Sequence, residues 1–236
     1  MPTTLEEDFE YQFQTPFEEL WLTAEDGARL NGVHFKSETK KGVILYFHGN
    51  AGDLSRWGAV VEPFTNYGYD VVVMDYRTYG KSSGVLSEKN LYEDAQLFYD
   101  YVSNVFPAEN IIIYGRSLGT GIASHLASKN PAKQLILETP YTSITDVAKH
   151  RFPMFPVKSL LKYHFPTNEN LKHVHVPITI FHGTDDSVVP YKFGKQLKDS
   201  FPNKIKLITI ENGEHNNLVE FEGYKNGIDA LLSKAL

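Results

Sequence analysis

From residue 42 onward, short runs that are apolar at nearly every position alternate with longer stretches in which apolar residues recur at helical spacing. Val43 to Phe47 precedes Leu54 to Tyr67, and Val71 to Met74 precedes Ser87 to Val105. Ile111 to Tyr114 precedes Leu118 to Lys129, and Leu135 to Leu137 follows. Ile178 to Phe181 precedes Tyr191 to Phe201, and Ile205 to Ile210 leads into Leu218 to Leu232. Short strands without polar alternation are buried on both faces, and their separation by helices predicts an α/β class with a mostly parallel sheet and right-handed crossovers. The beginning is different. Leu20 to Thr23 and Leu30 to Phe35 flank Glu25-Asp26-Gly27, and Asp-Gly between alternating apolar positions predicts an antiparallel hairpin.

About 35 residues, Thr142 to Val176, separate two predicted strands where one helix needs fewer, which predicts a small lid. The segment is aromatic and broken by prolines, as in Arg151-Phe152-Pro153-Met154-Phe155-Pro156. Such a segment suits a wall over a site, and equally the ordinary packing of a connecting helix. No internal repeat or low-complexity stretch is visible, and one domain over residues 1–236 is expected.

Ligands of parallel sheets bind beyond the carboxyl ends of the strands. The polar motifs fall there: His48-Gly49-Asn50, Asp75, Ser117, Glu138, Asp186 and His215. Among them Gly115-Arg116-Ser117-Leu118-Gly119 sits between an apolar run and a helical stretch. A serine hydroxyl becomes a nucleophile only when presented to a base, and a sharp strand-to-helix turn presents it. Glycines two residues either side remove side chains that would collide as the strand folds back. Chance places such a string in roughly one chain in ten, so the flanking strand and helix carry the reading.

The serine needs a histidine to take its proton and a carboxylate to hold that histidine's tautomer. In enzymes that present serine on such a turn, acid and then base follow it in sequence. His182-Gly183-Thr184-Asp185-Asp186 supplies the acid and Gly213-Glu214-His215-Asn216 the base, each on a loop after a late strand. Adjacent aspartates diverge, so one of the two faces the histidine. Asp186 is the choice, Asp185 the fallback and Glu138 a third candidate. Of nine histidines, His215 stands out by its glycine-bearing loop before the last helix. His34 and His125 read as strand and helix residues, and His150 and His164 as lid-surface ones. His173 and His175 lack a third ligand nearby, so no metal is expected.

Negative charge on a substrate oxygen calls for aimed backbone N–H groups. The N–H of Leu118, at a helix start, is one candidate; Asn50, or else Ala51, on the glycine-rich turn after Val43 to Phe47 is the other.

Composition narrows the partners. The chain has a formal charge of −6 and shows no evident cluster of Lys and Arg, which argues against nucleic acid and against a basic membrane-surface patch. It has no cysteine, hence no disulfide framework and no thiol nucleophile. Met1 to Phe9 is acidic, without the leader of a signal peptide, and no run approaches a membrane span. A cytoplasmic, cofactor-free enzyme acting on a small acyl substrate is expected.

Through these residues, the chain from about Phe17 onward resembles the α/β-hydrolase superfamily. It is similar to the small-lid branch that includes abhydrolase-domain protein depalmitoylases and serine-aminopeptidase-like bacterial hydrolases. Beyond the serine turn, the resemblance rests on His48-Gly49-Asn50-Ala51-Gly52, Asp75-Tyr76-Arg77-Thr78-Tyr79-Gly80-Lys81-Ser82, and Leu137-Glu138-Thr139-Pro140-Tyr141-Thr142-Ser143. His182-Gly183-Thr184-Asp185-Asp186 and Glu214-His215-Asn216 complete it. It implies an α/β-hydrolase fold with an eight-stranded, mostly parallel sheet, a Ser117, Asp186, His215 triad, and Asn50 and Leu118 as oxyanion donors. The expected chemistry is hydrolysis of short to medium acyl esters or thioesters through an acyl-enzyme on Ser117, with amide cleavage or a non-catalytic binding role as alternatives. Thr78 stands where the branch usually has glycine, and Asn217 where it usually has aspartate.

Overall fold

The computed structural model describes residues 3–233; Met1, Pro2 and the last three positions of the expected 1–236 domain lie outside the described residues. The predicted hairpin is present. Strands β1 (Phe17–Thr23) and β2 (Arg29–Phe35) pair antiparallel, with Glu18 opposite His34 and Thr23 opposite Arg29. Their turn closes through Ala24 and Ala28, and Gly27 adopts φ +84°, the left-handed conformation for which the Asp-Gly pair selects.

The remaining strands are β3 (Gly42–Phe47), β4 (Tyr69–Met74), β5 (Ile111–Arg116), β6 (Gln134–Glu138), β7 (Ile178–Gly183) and β8 (Ile205–Ile210). They form one eight-stranded sheet in the order β1-β2-β4-β3-β5-β6-β7-β8. All pairings from β4 to β8 are parallel, while β2 joins β4 antiparallel. This is the α/β-hydrolase fold. Strand β5 shows why the runs lacked polar alternation. Ile111 and Ile113 pack on one face with Phe98, Ala123 and Leu126, whereas Ile112 and Tyr114 pack on the other with Trp57, Phe64 and Tyr224. Both faces of a central strand exclude water, so period-two patterning has no place there.

The covering helices are α1 (Leu54–Val61), α2 (Glu88–Ser103), α3 (Leu118–Ala127), α7 (Lys192–Ser200) and α8 (Glu222–Leu232). Two expected helices are shorter than their apolar patterns. The pattern from Leu54 to Tyr67 leaves α-geometry at Val61 and continues as a 3₁₀ turn over Glu62–Tyr67, because Pro63 cannot donate an interior hydrogen bond. Helix α3 ends at Ala127, two residues before the expected Lys129. Between β6 and β7 the segment expected to form a lid contains three short helices, α4 (Ile144–Arg151), α5 (Val157–Leu160) and α6 (Thr167–Asn170), followed by a 3₁₀ turn at Leu171–His173. Among the described residues, no helix is long and apolar enough to cross a membrane.

Candidate active site

Ser117 is the single residue between β5 and α3, at φ +50° and ψ −115°. A non-glycine residue held there stores strain, and three hydrogen bonds hold it. Its N–H donates to the Glu138 carbonyl at 2.9 Å, and its own carbonyl accepts from the Thr120 N–H at 2.9 Å and Oγ1 at 2.6 Å. The flanking glycines are steric necessities. A Cβ on Gly115 would lie 2.5 Å from the Gly119 carbonyl oxygen, and one on Gly119 only 2.0 Å from that of Phe47.

His215 arrives from the loop after β8. Its Nε2 lies 2.9 Å from Ser117 Oγ, and its Nδ1 lies 2.8 Å from Asp186 Oδ2. A carboxylate only accepts, so Nδ1 carries the proton and Nε2 is left as an acceptor toward the serine hydroxyl. Asp186 is anchored on its other oxygen, where Oδ1 accepts from the N–H groups of Val188 at 2.9 Å and Val189 at 2.7 Å. Burial alone would raise its pKa, but hydrogen bonds from His182 and His215, the charge interaction with His215, and the Val189 N–H hold the carboxyl well below the usual range.

The two rival acids are elsewhere. Asp185 is exposed and accepts from the Thr184 hydroxyl. Glu138 lies in a buried polar cluster with Arg116, Tyr114 and Tyr224. Its Oε1 is 3.1 Å from Arg116 Nε, and its Oε2 accepts from the hydroxyls of Tyr114 at 2.6 Å and Tyr224 at 3.2 Å. Burial first, then the Glu138 charge, pushes both tyrosine hydroxyls well above their ordinary range, so both remain protonated donors. Arg116 Nη2 reaches the His215 carbonyl at 3.4 Å and Asn216 Oδ1 at 3.3 Å, tying this cluster to the loop that carries the imidazole. In the sequence Arg116 stands out only as part of the serine motif. Tyr224 gave no signal, because its partner is 86 residues away.

The loop from His48 to Gly52 lies beside the serine: a Cβ on Gly49 would be 3.7 Å from Ser117 Cβ. Aromatic packing fixes this loop. The His48 ring stacks 5.3 Å from Trp57 and sits 4.2 Å from Tyr76, whose hydroxyl donates to the His48 carbonyl at 2.7 Å. Tyr79 donates to Asn50 Oδ1 at 2.8 Å. His48 Nε2 faces Asp75 Oδ1 at 3.4 Å, and burial, outweighing its contact with His48, pushes the Asp75 carboxyl up. His182, a second residue whose role was not read from its motif, donates Nε2–H to the Val189 carbonyl at 2.8 Å beside Asp186. It thereby braces the turn holding the carboxylate.

The two departures from the small-lid pattern have local consequences. Thr78 adopts φ +72°, a left-handed conformation that glycine reaches without strain. Asn217 Oδ1 accepts from the Glu214 N–H at 2.7 Å, closing the turn around His215. His173 and His175 are exposed, and no group of three or more His, Asp or Glu side chains among the described residues is arranged to hold a metal ion.

The profile of the family described as serine aminopeptidase, S33 (Hydrolase_4) matches residues 38–167. An uncharacterized protein of Mycobacterium tuberculosis is 32% identical over 202 residues, covering 83% of this chain and 71% of its own. The lysophosphatidylserine lipase ABHD12 of Danio rerio is 36% identical over 179 residues, covering 66% of this chain but 46% of the lipase. The chain therefore spans less than half the length of that lipase. Among solved structures, an alpha-beta hydrolase from Vibrio vulnificus superposes with a TM-score of 0.74 at 24% identity, over 91% of this chain and 80% of that one, a likeness of fold. The chain belongs to the serine aminopeptidase S33 family and is a hydrolase of the α/β-hydrolase superfamily.

Proposed function

We propose that this hydrolase cleaves carboxylic esters or thioesters of short to medium acyl chains through an acyl-enzyme on Ser117. The observation that carries the reading is the continuous contact from Ser117 Oγ through the His215 imidazole to Asp186, at 2.9 and 2.8 Å. As Ser117 Oγ bonds to the acyl carbon, its proton passes to His215 Nε2 and the carbonyl π pair moves onto oxygen. The N–H groups of Leu118 and Asn50 receive that oxyanion, each donor contributing about 3 kcal/mol in comparable sites. The pair returns to re-form the carbonyl, the bond to the leaving alkoxide or thiolate breaks, and His215 supplies it with the proton. Water then attacks the acyl-enzyme by the same sequence in reverse roles, releasing the acid and regenerating Ser117.

A single domain over residues 1–236 is part of this proposal, with the 142–176 segment as its lid. An ester panel graded by acyl length, read with wild type and Ser117→Ala, tests it. Turnover in the variant falls by as much as ~10⁶, and undiminished cleavage refutes the nucleophile. A second reading, amide cleavage, is favoured by the family's aminopeptidase description. Higher kcat/KM for amino-acid anilides than for p-nitrophenyl esters selects it over the first.

A further inference from the structure

The lid turns its largest apolar side chains outward. Ten large apolar residues are exposed among those described, and four of them fall within nine positions of one another: Phe152, Met154, Phe155 and Leu160. Met154 is 91% exposed and Leu160 67%. They surround the turn between α4 and α5, where Pro153 and Pro156 flank Met154 and Phe155. The turn is built rather than loose: the Phe155 N–H donates to the Phe152 carbonyl at 3.2 Å, the Val157 N–H to the Phe155 carbonyl at 2.8 Å, and the two phenyl rings meet edge to face. Behind it, α4 and α5 enclose an open groove of about 360 Å³ lined only by apolar residues, among them Ala148, Phe155 and Leu161.

The charged side chains of this segment itself are of one sign, and the Glu88 carboxylate reaches only its far end, accepting from the N–H groups of His164 at 2.6 Å and Phe165 at 3.2 Å. Lys149, Arg151, Lys158 and Lys162 are all exposed, and none forms an ion pair among the described residues. No Asp or Glu occurs from Val147 to Asn168, so this stretch has a formal charge of +4 in a chain of −6, and the rest carries −10. The chain-wide balance, which argued against a basic membrane-surface patch, conceals this segment. A contiguous exposed apolar patch marks an interaction surface. Apolar side chains ringed by unpaired cations on flexible stems fit the boundary of a bilayer, where the stems lie along the apolar region and the heads stay wet. Burial of the same four cations in a dry protein interface would require carboxylate partners for each.

We propose that the lid turn, residues 147–168, docks this protein on an anionic phospholipid surface. The turn inserts Met154 and Phe155, the four cations contact the headgroups, and the strongly acidic remainder faces away. Docking brings the lipid close to the loop that carries Asp186, since Arg151 Nη2 approaches the Ser187 carbonyl at 3.4 Å, one residue from Asp186. The substrates so favoured are amphiphilic esters held in the surface, which extends the ester-hydrolase reading, whereas docking itself does not depend on Ser117.

The test is sedimentation of the full chain carrying Ser117→Ala, which spares the lipid, with vesicles of phosphatidylcholine alone or mixed with phosphatidylserine. Binding is expected to the mixed vesicles, to fall with salt, and to weaken about fivefold for each of Lys149→Gln, Lys158→Gln and Lys162→Gln. Met154→Ser with Phe155→Ser should abolish it while leaving hydrolysis of a soluble p-nitrophenyl ester unchanged in the Ser117 enzyme, which separates lost docking from lost catalysis. Absence of binding to mixed vesicles, or binding indifferent to these substitutions, overturns the proposal. So does a dimer in sedimentation velocity that the Met154 and Phe155 substitutions disperse, which would assign the patch to a second copy of the chain.

Discussion

Glu138→Gln tests the ranking of Asp186 over Glu138 as the acid that serves His215. Glu138 is 4% exposed and Arg116 8% exposed, and they meet at 3.1 Å. Glutamine keeps the shape and the tyrosine contacts but removes the charge that offsets the buried guanidinium. Breaking one side of a buried pair costs about 3–5 kcal/mol, which for a chain of this size lowers Tm by about 6–20 °C. Asp186 and its contacts with His215 are untouched, so the variant, assayed well below its own Tm, should keep kcat within about tenfold of wild type on a p-nitrophenyl ester. Asp186→Asn removes the acceptor that selects the His215 tautomer and should lower kcat by ~10⁴. Thermal unfolding by circular dichroism and steady-state rates on both variants give the comparison. A folded Glu138→Gln enzyme as inactive as Asp186→Asn would refute the assignment of the acid and the division between catalytic contact and structural cluster.

Gly119→Ala should be severe. Its Cβ would lie 2.0 and 2.9 Å from the carbonyl oxygens of Phe47 and His48, both backbone, so the serine turn and the neighbouring loop must separate by roughly 1 Å or more. A displacement of that size costs about 100-fold in kcat, whereas Gly223→Ala, whose Cβ meets only Ile210 Cδ1 at 3.3 Å, should be neutral by both kcat and Tm. His125 stacks on Tyr92 at 3.7 Å, and burial, then Lys129, lowers its pKa to about 4 against opposing contributions from Asn170 and Glu88. The unfolded chain therefore binds this proton more readily, so stability present above pH 6.5 is lost as pH falls toward about 4. A Tm profile of His125→Gln should be flatter across that window, and an unchanged acid slope would contradict the cause assigned.

The sheet was legible because β3 to β8 announce themselves as apolar runs broken by helical patterns, and the serine turn because its glycines are dictated by backbone collisions at Gly115 and Gly119. Loops that begin at strand carboxyl ends brought Ser117, His215 and Asp186 to one mouth, as the topology requires. What stayed hidden depends on side-chain direction and on distance along the chain. Glu138 ends a strand facing the same mouth, yet its side chain turns to Tyr114, Arg116 and Tyr224. His182 and His48 looked like motif punctuation, and only packing reveals that His182 braces the turn holding Asp186 and His48 the loop beside the serine. Pro63 was a readable signal against a helix as long as Leu54 to Tyr67. The outward apolar turn between α4 and α5 was invisible because sequence gives apolarity, not the direction it faces.

Whether Ser117 is the nucleophile served by His215 is decided by intact-protein mass spectrometry after exposure to a fluorophosphonate, with the modified residue mapped by peptide sequencing. One stoichiometric adduct is expected on Ser117, lost in Ser117→Ala and slowed by orders of magnitude in His215→Ala. A folded wild-type protein that takes up no label, or a label that persists at the same rate without the Ser117 hydroxyl, would contradict it.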